Sequence, residues 1–198
     1  NCDVSVYQRT SDMITQVLFP CSLRRAQHVA VASRATERDL LTRYGISGER
    51  ISVVPAAADE CFKPKSDPSY RVKVRERYGA RNGCVLHFSS GDMRDNTALA
   101  LRAFAQARIS PETKIIVAGG ASSEWDNISD AEASLGLSER VLPVGYVSDS
   151  DLVDLYRVAD VYLDPSLYEG FGLHVLEAMA CGAPVVCSNT TSLPEIVG

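Results

Sequence analysis

The residues best placed to do chemistry lie between Tyr168 and Gly182, in the stretch YEGFGLHVLEAMACG. Gly170-Phe171-Gly172 reads as a turn between an apolar run ending in Asp164-Pro165-Ser166 and a helix. In that helix Leu173, Leu176 and Ala180, with Val175 and Met179, recur at helical spacing. Gly182 and Pro184 stop it. Such a turn gathers the backbone amides of Gly170, Phe171, Gly172 and Leu173 with the positive end of the helix dipole, an arrangement that favours an anion. Glu169 stands on the lip just before the turn. Glu177 follows about a turn and a half into the helix, where it can point into the same cleft. An anion-binding helix start flanked by two carboxylates suits a ligand carrying phosphate and many hydroxyls, such as a nucleotide sugar.

Two plainer readings stand beside this one. Glycine-rich strand-to-helix turns are common in α/β proteins, and an acidic residue near a helix start can simply complement the dipole. Gly170-x-Gly172 also begins a dinucleotide-binding fingerprint. Val175 opposes that reading, because it occupies the third position, where a glycine is needed for close helix–strand packing. In addition, no acidic residue ends the next apolar run, Pro184–Ser188, to hold an adenosine ribose.

The elements that must position these residues alternate regularly. The early segments are a strand at His28–Ala32, a helix capped by Ser33 and stopped by Gly45, and a strand at Ile51–Val54. Arg34, Arg38 and Arg43 fall on the solvent side of that helix. A short helix is expected from Leu23, and residues 1–20 give no clear pattern. Prolines at 55, 64 and 68 with little periodicity mark a linker. Beyond it come a helix over Ser69–Tyr78, a strand at Cys84–Phe88, and a helix over Asn96–Ala107 with Leu99, Ala103, Phe104 and Ala107 inward. A strand at Lys114–Ala118 is followed by a partly helical acidic segment, Ser123–Leu135. Then come a strand at Val141–Val144, a helix over Asp149–Val158 and a strand at Asp160–Leu163. The Gly170–Gly172 helix and a strand over Pro184–Cys187 complete the series. This pattern predicts an α/β fold, a parallel Rossmann-like sheet with flanking helices. Ligands then belong at the carboxyl ends of strands where strand order reverses. That singles out the loops Ser89–Asp95, Gly119–Ser123, Gly145–Ser148 and Ser166–Gly172.

Composition narrows the function classes. The 198 residues are 45% hydrophobic and 23% charged, as in ordinary globular proteins, and the net charge of -5 implies no general affinity for nucleic acid. No apolar run approaches the ~18 residues of a membrane span. Six cysteines form no C-x-x-C pair, and the three histidines share no zinc-type spacing with them, so no metal site is expected. Cysteines set in apolar runs read as buried free thiols of a reducing, cytoplasmic compartment.

Glu169 and Glu177, with seven residues between them, resemble the E-x7-E motif of the retaining glycosyltransferases of family 4, which have the two-domain GT-B fold. The likeness extends over DPSLYEGFGLHVLEAMACGAPVVCSNTTSLPEIVG and runs back to about Ala32. It implies a C-terminal donor-binding domain over residues 59–198, ending short of the family's last strand and helices. Residues 1–58 would be a remnant of the N-terminal, acceptor-side domain with its linker. The implied donor is a nucleoside-diphosphate sugar, with no further cofactor and with transfer by retention. The acceptor is unknown: a sugar, a lipid-linked sugar or a small molecule. Peripheral contact with the inner face of the membrane would come through the missing domain. The 198 residues alone are expected to be inactive.

The resemblance also distributes roles. Glu169 matches the carboxylate beside the donor hexose, and Glu177 the one that accepts hydrogen bonds from the ribose diol. Gly170, Phe171, Gly172 and Leu173 would hold the diphosphate, and backbone groups around Tyr146 and Val147 the base. One departure stands out. Where the family carries an arginine and, five positions on, a lysine for the diphosphate, this chain has Ser90 and Asp95, within SSGDMRDN. Arg94 is the neighbouring cation that could replace them, with a solvated loop arginine as the alternative. His174 reads as helix packing, with a phosphate contact as the sharper option. The departure keeps open a second function, a GT-B-like domain that binds nucleotide or sugar without turnover.

Overall fold

Strand–helix alternation yields two parallel sheets. The computed structural model describes residues 17–120, 134–137 and 139–198. The chain divides into two units, Asn1–Ala56 and Ala57–Gly198, where the sequence reading set the division after residue 58.

In the first unit, α1 (Phe19–Arg25) leads through β1 (Val29–Val31) and α2 (Arg34–Tyr44) to β2 (Ile51–Val53). The two strands pair in parallel, Val29 opposite Ile51 and Val31 opposite Val53. Ser33 caps α2 by accepting a hydrogen bond from the Thr36 amide at 3.1 Å, and Gly45 ends it in the left-handed region at φ 64°. Leu23, Val31, Leu40, Ile46 and Ile51 form its core. Helix α1 begins at Phe19, four residues ahead of the expected start. Pro20 sits in its first turn, where a missing N–H costs nothing. The far end is closed by the Arg50 guanidinium, which donates to the carbonyls of Leu23, Arg24 and Ala26.

The second unit runs α3 (Pro68–Arg77), β3 (Cys84–Phe88), α4 (Thr97–Gln106), β4 (Lys114–Ala118) and β5 (Val141–Gly145). It continues through α5 (Asp149–Val158), β6 (Val161–Asp164), α6 (Leu173–Ala180), β7 (Val185–Cys187) and α7 (Leu193–Val197). The sheet order is β5-β4-β3-β6-β7, all parallel. From β3 the chain steps outward to β4 and β5, then returns to lay β6 against the other side of β3. Strand order therefore reverses between β3 and β6, which is where a parallel sheet opens a crevice at its carboxyl ends.

Period-two alternation sends side chains to both faces. Leu86, Ile116 and Tyr162 pack with Tyr156, Val175, Ala178 and Leu193, while Val85, Ile115 and Val117 pack with Leu101 and Phe104. Because both faces are covered, the strands read as nearly continuous apolar runs rather than alternating ones.

The inward face of α4 differs from expectation. Ala100, Leu101 and Phe104 are buried, while Leu99, Ala103 and Ala107 are exposed. The helix is keyed by Thr97, whose hydroxyl lies 3.1 Å from His87 Nε2 and 3.0 Å from the Ser89 hydroxyl. With Thr97 turned to the sheet, residues three, four and seven positions on face it too. Most of the expected segment Ser123–Leu135 lies outside the described residues.

At the amino ends of the strands, charges tie the layers together. Asp160 accepts the Cys84 amide at 2.9 Å and pairs with Arg71 and Arg75, each at 2.6 Å. Arg75 also donates to the Val158 carbonyl, at 2.7 and 3.0 Å. Asp154 accepts the Tyr70 hydroxyl and pairs with Arg77 at 3.1 Å.

Candidate functional site

Two loops meet over the crevice. After β3, Asp92 caps a short turn, Met93–Asp95, by accepting the Arg94 amide at 2.8 Å. Its carboxylate also takes the Arg94 guanidinium at 2.8 Å, and that contact, foremost, holds its pKa down at about 2. Asp95 turns back on the same loop and accepts both the amide and the hydroxyl of Ser90. After β6, Asp164 accepts the amide and hydroxyl of Ser166. The loops are stitched together by Leu167, whose amide donates to the Arg94 carbonyl at 2.8 Å, and by Asn96, whose side-chain amide donates to the Pro165 carbonyl at 3.1 Å.

The glycine turn is braced from below. Gly172 caps α6 with φ 101°, and a β-carbon there would lie 2.6 Å from the Leu193 side chain, so only glycine fits without displacement. The Ser192 hydroxyl sits against the carbonyls of both Glu169 and Phe171, at 2.8 and 2.9 Å, and the Thr191 hydroxyl accepts the Glu169 amide at 3.1 Å. Thus the segment leading into α7 fixes the backbone on both sides of the turn. Sequence reading passed over Thr191 and Ser192. Their only signal is a Thr-Thr-Ser run ahead of Leu193-Pro194, which looks like an ordinary helix entry.

Between the loops lies a cavity of about 410 Å³, lined by Ser90, Arg94, Asp95 and Phe88 from one side and by Glu169 through His174 from the other. Of the residues named from sequence, it brings together Glu169, Gly170, Phe171, Gly172, Leu173, Ser90 and Arg94. Leu173 and Met179 are exposed; Val175 and Ala178 are the residues by which α6 enters the core. Half-buried Glu169 has its pKa raised, first by burial and then by the charges of Asp164 and Asp95, with His174 and Arg94 acting in the opposite sense.

Glu177, Tyr146 and Val147 are not part of this lining. Glu177 has a side chain only 16% exposed and accepts a hydrogen bond from the Tyr156 hydroxyl at 3.3 Å. Tyr146 is 86% exposed on the loop after β5, and Val147 packs against the core. Of the other loops singled out, Gly119 joins Gly145 through an amide–carbonyl bond of 2.7 Å, and residues 121–123 lie outside the described residues.

His174 is both packed and exposed to the cavity. Its ring stacks on Phe88, with centroids 3.9 Å apart and planes inclined by 29°, and its Nδ1 lies 2.8 Å from the Tyr156 hydroxyl. Tyr156 falls inside the helix expected over Asp149–Val158, where no role was assigned to it. Val175 is wholly buried among the packed side chains of the sheet, so the third fingerprint position of a dinucleotide site is filled.

Known proteins resemble the chain in sequence and in fold. The chain is 33% identical over 180 residues to the O-antigen chain mannosyltransferase B of Escherichia coli, covering 89% of this chain and 47% of that protein. It is 34% identical over 175 residues to a D-inositol 3-phosphate glycosyltransferase of Xylanimonas cellulosilytica, with coverage of 85% and 42%. The fold matches the crystal structure of Anabaena Alr3699/HepE in complex with UDP and glucose with a TM-score of 0.77. That match has 27% identity and covers 89% of this chain and 50% of the other. The chain thus spans 42–50% of the length of these three proteins, and its parallel sheet with flanking helices matches GT-B glycosyltransferase structures. Among the described residues no helix is long and apolar enough to cross a membrane. The family profile described as glycosyl transferases group 1 matches residues 79–198, so it takes in β3 through α7 and every residue lining the cavity, and to that family the chain belongs.

Proposed function

We propose that residues 59–198 are the donor-binding domain of a retaining hexosyltransferase of family 4, and that residues 1–58 belong to its acceptor-side domain and linker. The donor is a nucleoside-diphosphate sugar, no cofactor or metal is needed, and the enzyme works in the cytoplasm. The observation that carries this is the cavity at the strand-order reversal, where Glu169 and the 170–173 turn face the loop after β3. Amides at a helix start suit the diphosphate, whose charge grows as it leaves. Glu169 is set for the hexose. Glu177, held by Tyr156 beside the cavity, is set for the ribose diol, with the base toward Tyr146 and Val147. Anabaena Alr3699/HepE with UDP-glucose supports a nucleotide-sugar donor, and the mannosyltransferase relatives favour mannose as the transferred sugar.

One observation favours a second reading, binding without turnover. Ser90 and Asp95 satisfy each other, and Arg94 is paired with Asp92, so the loop after β3 offers no uncommitted cation. The deciding experiment assays the whole protein against a panel of nucleotide sugars for transfer to sugar and lipid-linked acceptors, with the anomeric configuration of the product read by NMR. Retained configuration supports the first reading. Donor binding without transfer or hydrolysis supports the second. Binding of a nicotinamide dinucleotide alone removes both.

A further inference from the structure

The cavity needs a cation that the loop after β3 does not freely give. Four amides cannot by themselves offset two phosphate charges beside Glu169 and Asp95. His174 is the other basic side chain in the lining, and its hydrogen bonds decide what it presents there.

Tyr156 is wholly buried, and its hydroxyl keeps its proton, because burial and then the charge of Glu177 push its pKa far above the usual range. That hydroxyl has one proton to give. An ionised carboxylate can only accept, so the proton goes to Glu177 Oε2, 3.3 Å away. With that proton given to Glu177, the 2.8 Å contact between the hydroxyl and His174 Nδ1 is met by a hydrogen on Nδ1. In the neutral ring that leaves a bare lone pair on Nε2, for which no described residue is a partner. A lone pair repels a phosphate oxygen. One added proton turns Nε2 into a donor and gives the ring a positive charge.

We propose that His174 grips the donor diphosphate as an imidazolium, oriented by Tyr156 and Glu177, so that binding a nucleotide sugar takes up a proton. This rests on the donor-binding reading above. The proton comes from solvent to Nε2, and no covalent bond of the donor changes. The charged groups that face the ring are Glu177 on α6, 3.6 Å from Nδ1, Glu169 on the turn, and Arg94 and Asp95 across the cavity. From the sheet and α5 come His87, kept neutral chiefly by its burial, and the neutral Tyr156. The Phe88 ring beneath adds a π-face for the cation. His174 is thereby a binding residue and Tyr156 a positioning residue.

Calorimetric titration of the whole protein with UDP-glucose and with GDP-mannose, in EDTA, tests the idea. The diphosphate of a nucleotide sugar does not titrate near neutrality, so the protein supplies any pH dependence. From about pH 6 to about pH 8, affinity should fall on the order of tenfold. Repeating the titration in buffers of different ionisation heat should show net proton uptake. In His174→Gln, which keeps a side-chain amide but cannot be charged, affinity should be weaker at low pH and flat, without uptake. In Tyr156→Phe, Nδ1 is freed from its partner and the neutral ring can carry its hydrogen on Nε2, so the pH slope should become shallower. Proton uptake that persists in His174→Gln would assign it to Glu169 and overturn the proposal. So would pH-independent binding by the wild type. Failure of the wild type to bind either probe at any pH overturns the donor-binding reading, and this proposal with it.

Discussion

Asp95 takes two hydrogen bonds from Ser90, one from the amide at 2.6 Å and one from the hydroxyl at 2.7 Å. The two positions where the family resemblance calls for an arginine and a lysine are therefore joined to each other. The acid occupies an amide at the cavity wall that an anion could otherwise use. On the proposed reading a diphosphate bound here would have this carboxylate beside it, and the basic side chains around it become decisive.

Arg94 is one of these. Its guanidinium is 61% exposed and ion-paired with Asp92, yet it lines the cavity. Arg94→Ala is expected to weaken nucleoside-diphosphate affinity by about 10- to 100-fold, the loss of one charged hydrogen bond. Asp92→Asn, which releases the guanidinium, should strengthen binding several-fold. If Arg94→Ala leaves affinity unchanged and a chelator abolishes it, a divalent ion bridges the phosphates in its place.

The two motif glutamates should separate kinetically. Glu177→Ala should weaken nucleoside-diphosphate binding, again by about 10- to 100-fold. Glu169→Ala should leave that binding nearly intact and lower kcat, because contacts around the hexose are made in the transition state. Equilibrium titration with a nucleoside diphosphate alongside steady-state kinetics reads both. Equal nucleotide affinity in wild type and Glu177→Ala removes Glu177 from the ribose.

Glu169 also links pH to stability. Burial, with Asp164 and Asp95 nearby, raises its pKa in the folded chain. The folded state then binds a proton more tightly than the unfolded one, so stability declines as pH rises from the ordinary glutamate value through the raised one. Glu169→Gln should melt higher than the wild type at neutral pH, and the two curves should converge under acid. Thermal melts across that window decide it, and a lower melting point for the variant at pH 7 contradicts the argument.

Gly172 tests the turn. At φ 101°, with Leu193 in the way of any β-carbon, Gly172→Ala should cost on the order of 2 kcal/mol of stability. It should also weaken nucleotide binding by moving the amides of Gly172 and Leu173. Gly170, where a β-carbon meets nothing within 4 Å, is the control, and Gly170→Ala should be much milder in urea unfolding.

Much of this was legible in the chain. Cys84–Phe88, Lys114–Ala118 and Asp149–Val158 fall at their expected bounds, because each is an unbroken run flanked by turn or cap residues. The face of α4 was not legible. Its alanines and leucines satisfy several helical stripes equally, and only the tertiary contacts of Thr97 with His87 and Ser89 select one. At the site, spacing located Glu169, the glycine turn and the loop after β3. It could not reveal that Ser90 and Asp95 close on each other, nor that Tyr156 reaches His174 and Glu177 from another helix. Those links depend on side-chain direction across elements far apart in sequence.

The charged knot around Asp160 lies at the opposite pole from the cavity. It binds the start of β3 to α3 and, through Arg75 and the Val158 carbonyl, to the end of α5. None of the loops over the crevice takes part. The sheet is anchored at one end and opens its cavity at the other. Substitutions in Ser89–Asp95 or Ser166–Gly172 can reshape the cavity while the anchorage stays intact. A lineage could exchange a conventional phosphate clamp for a serine–aspartate pair without first having to rebuild the scaffold.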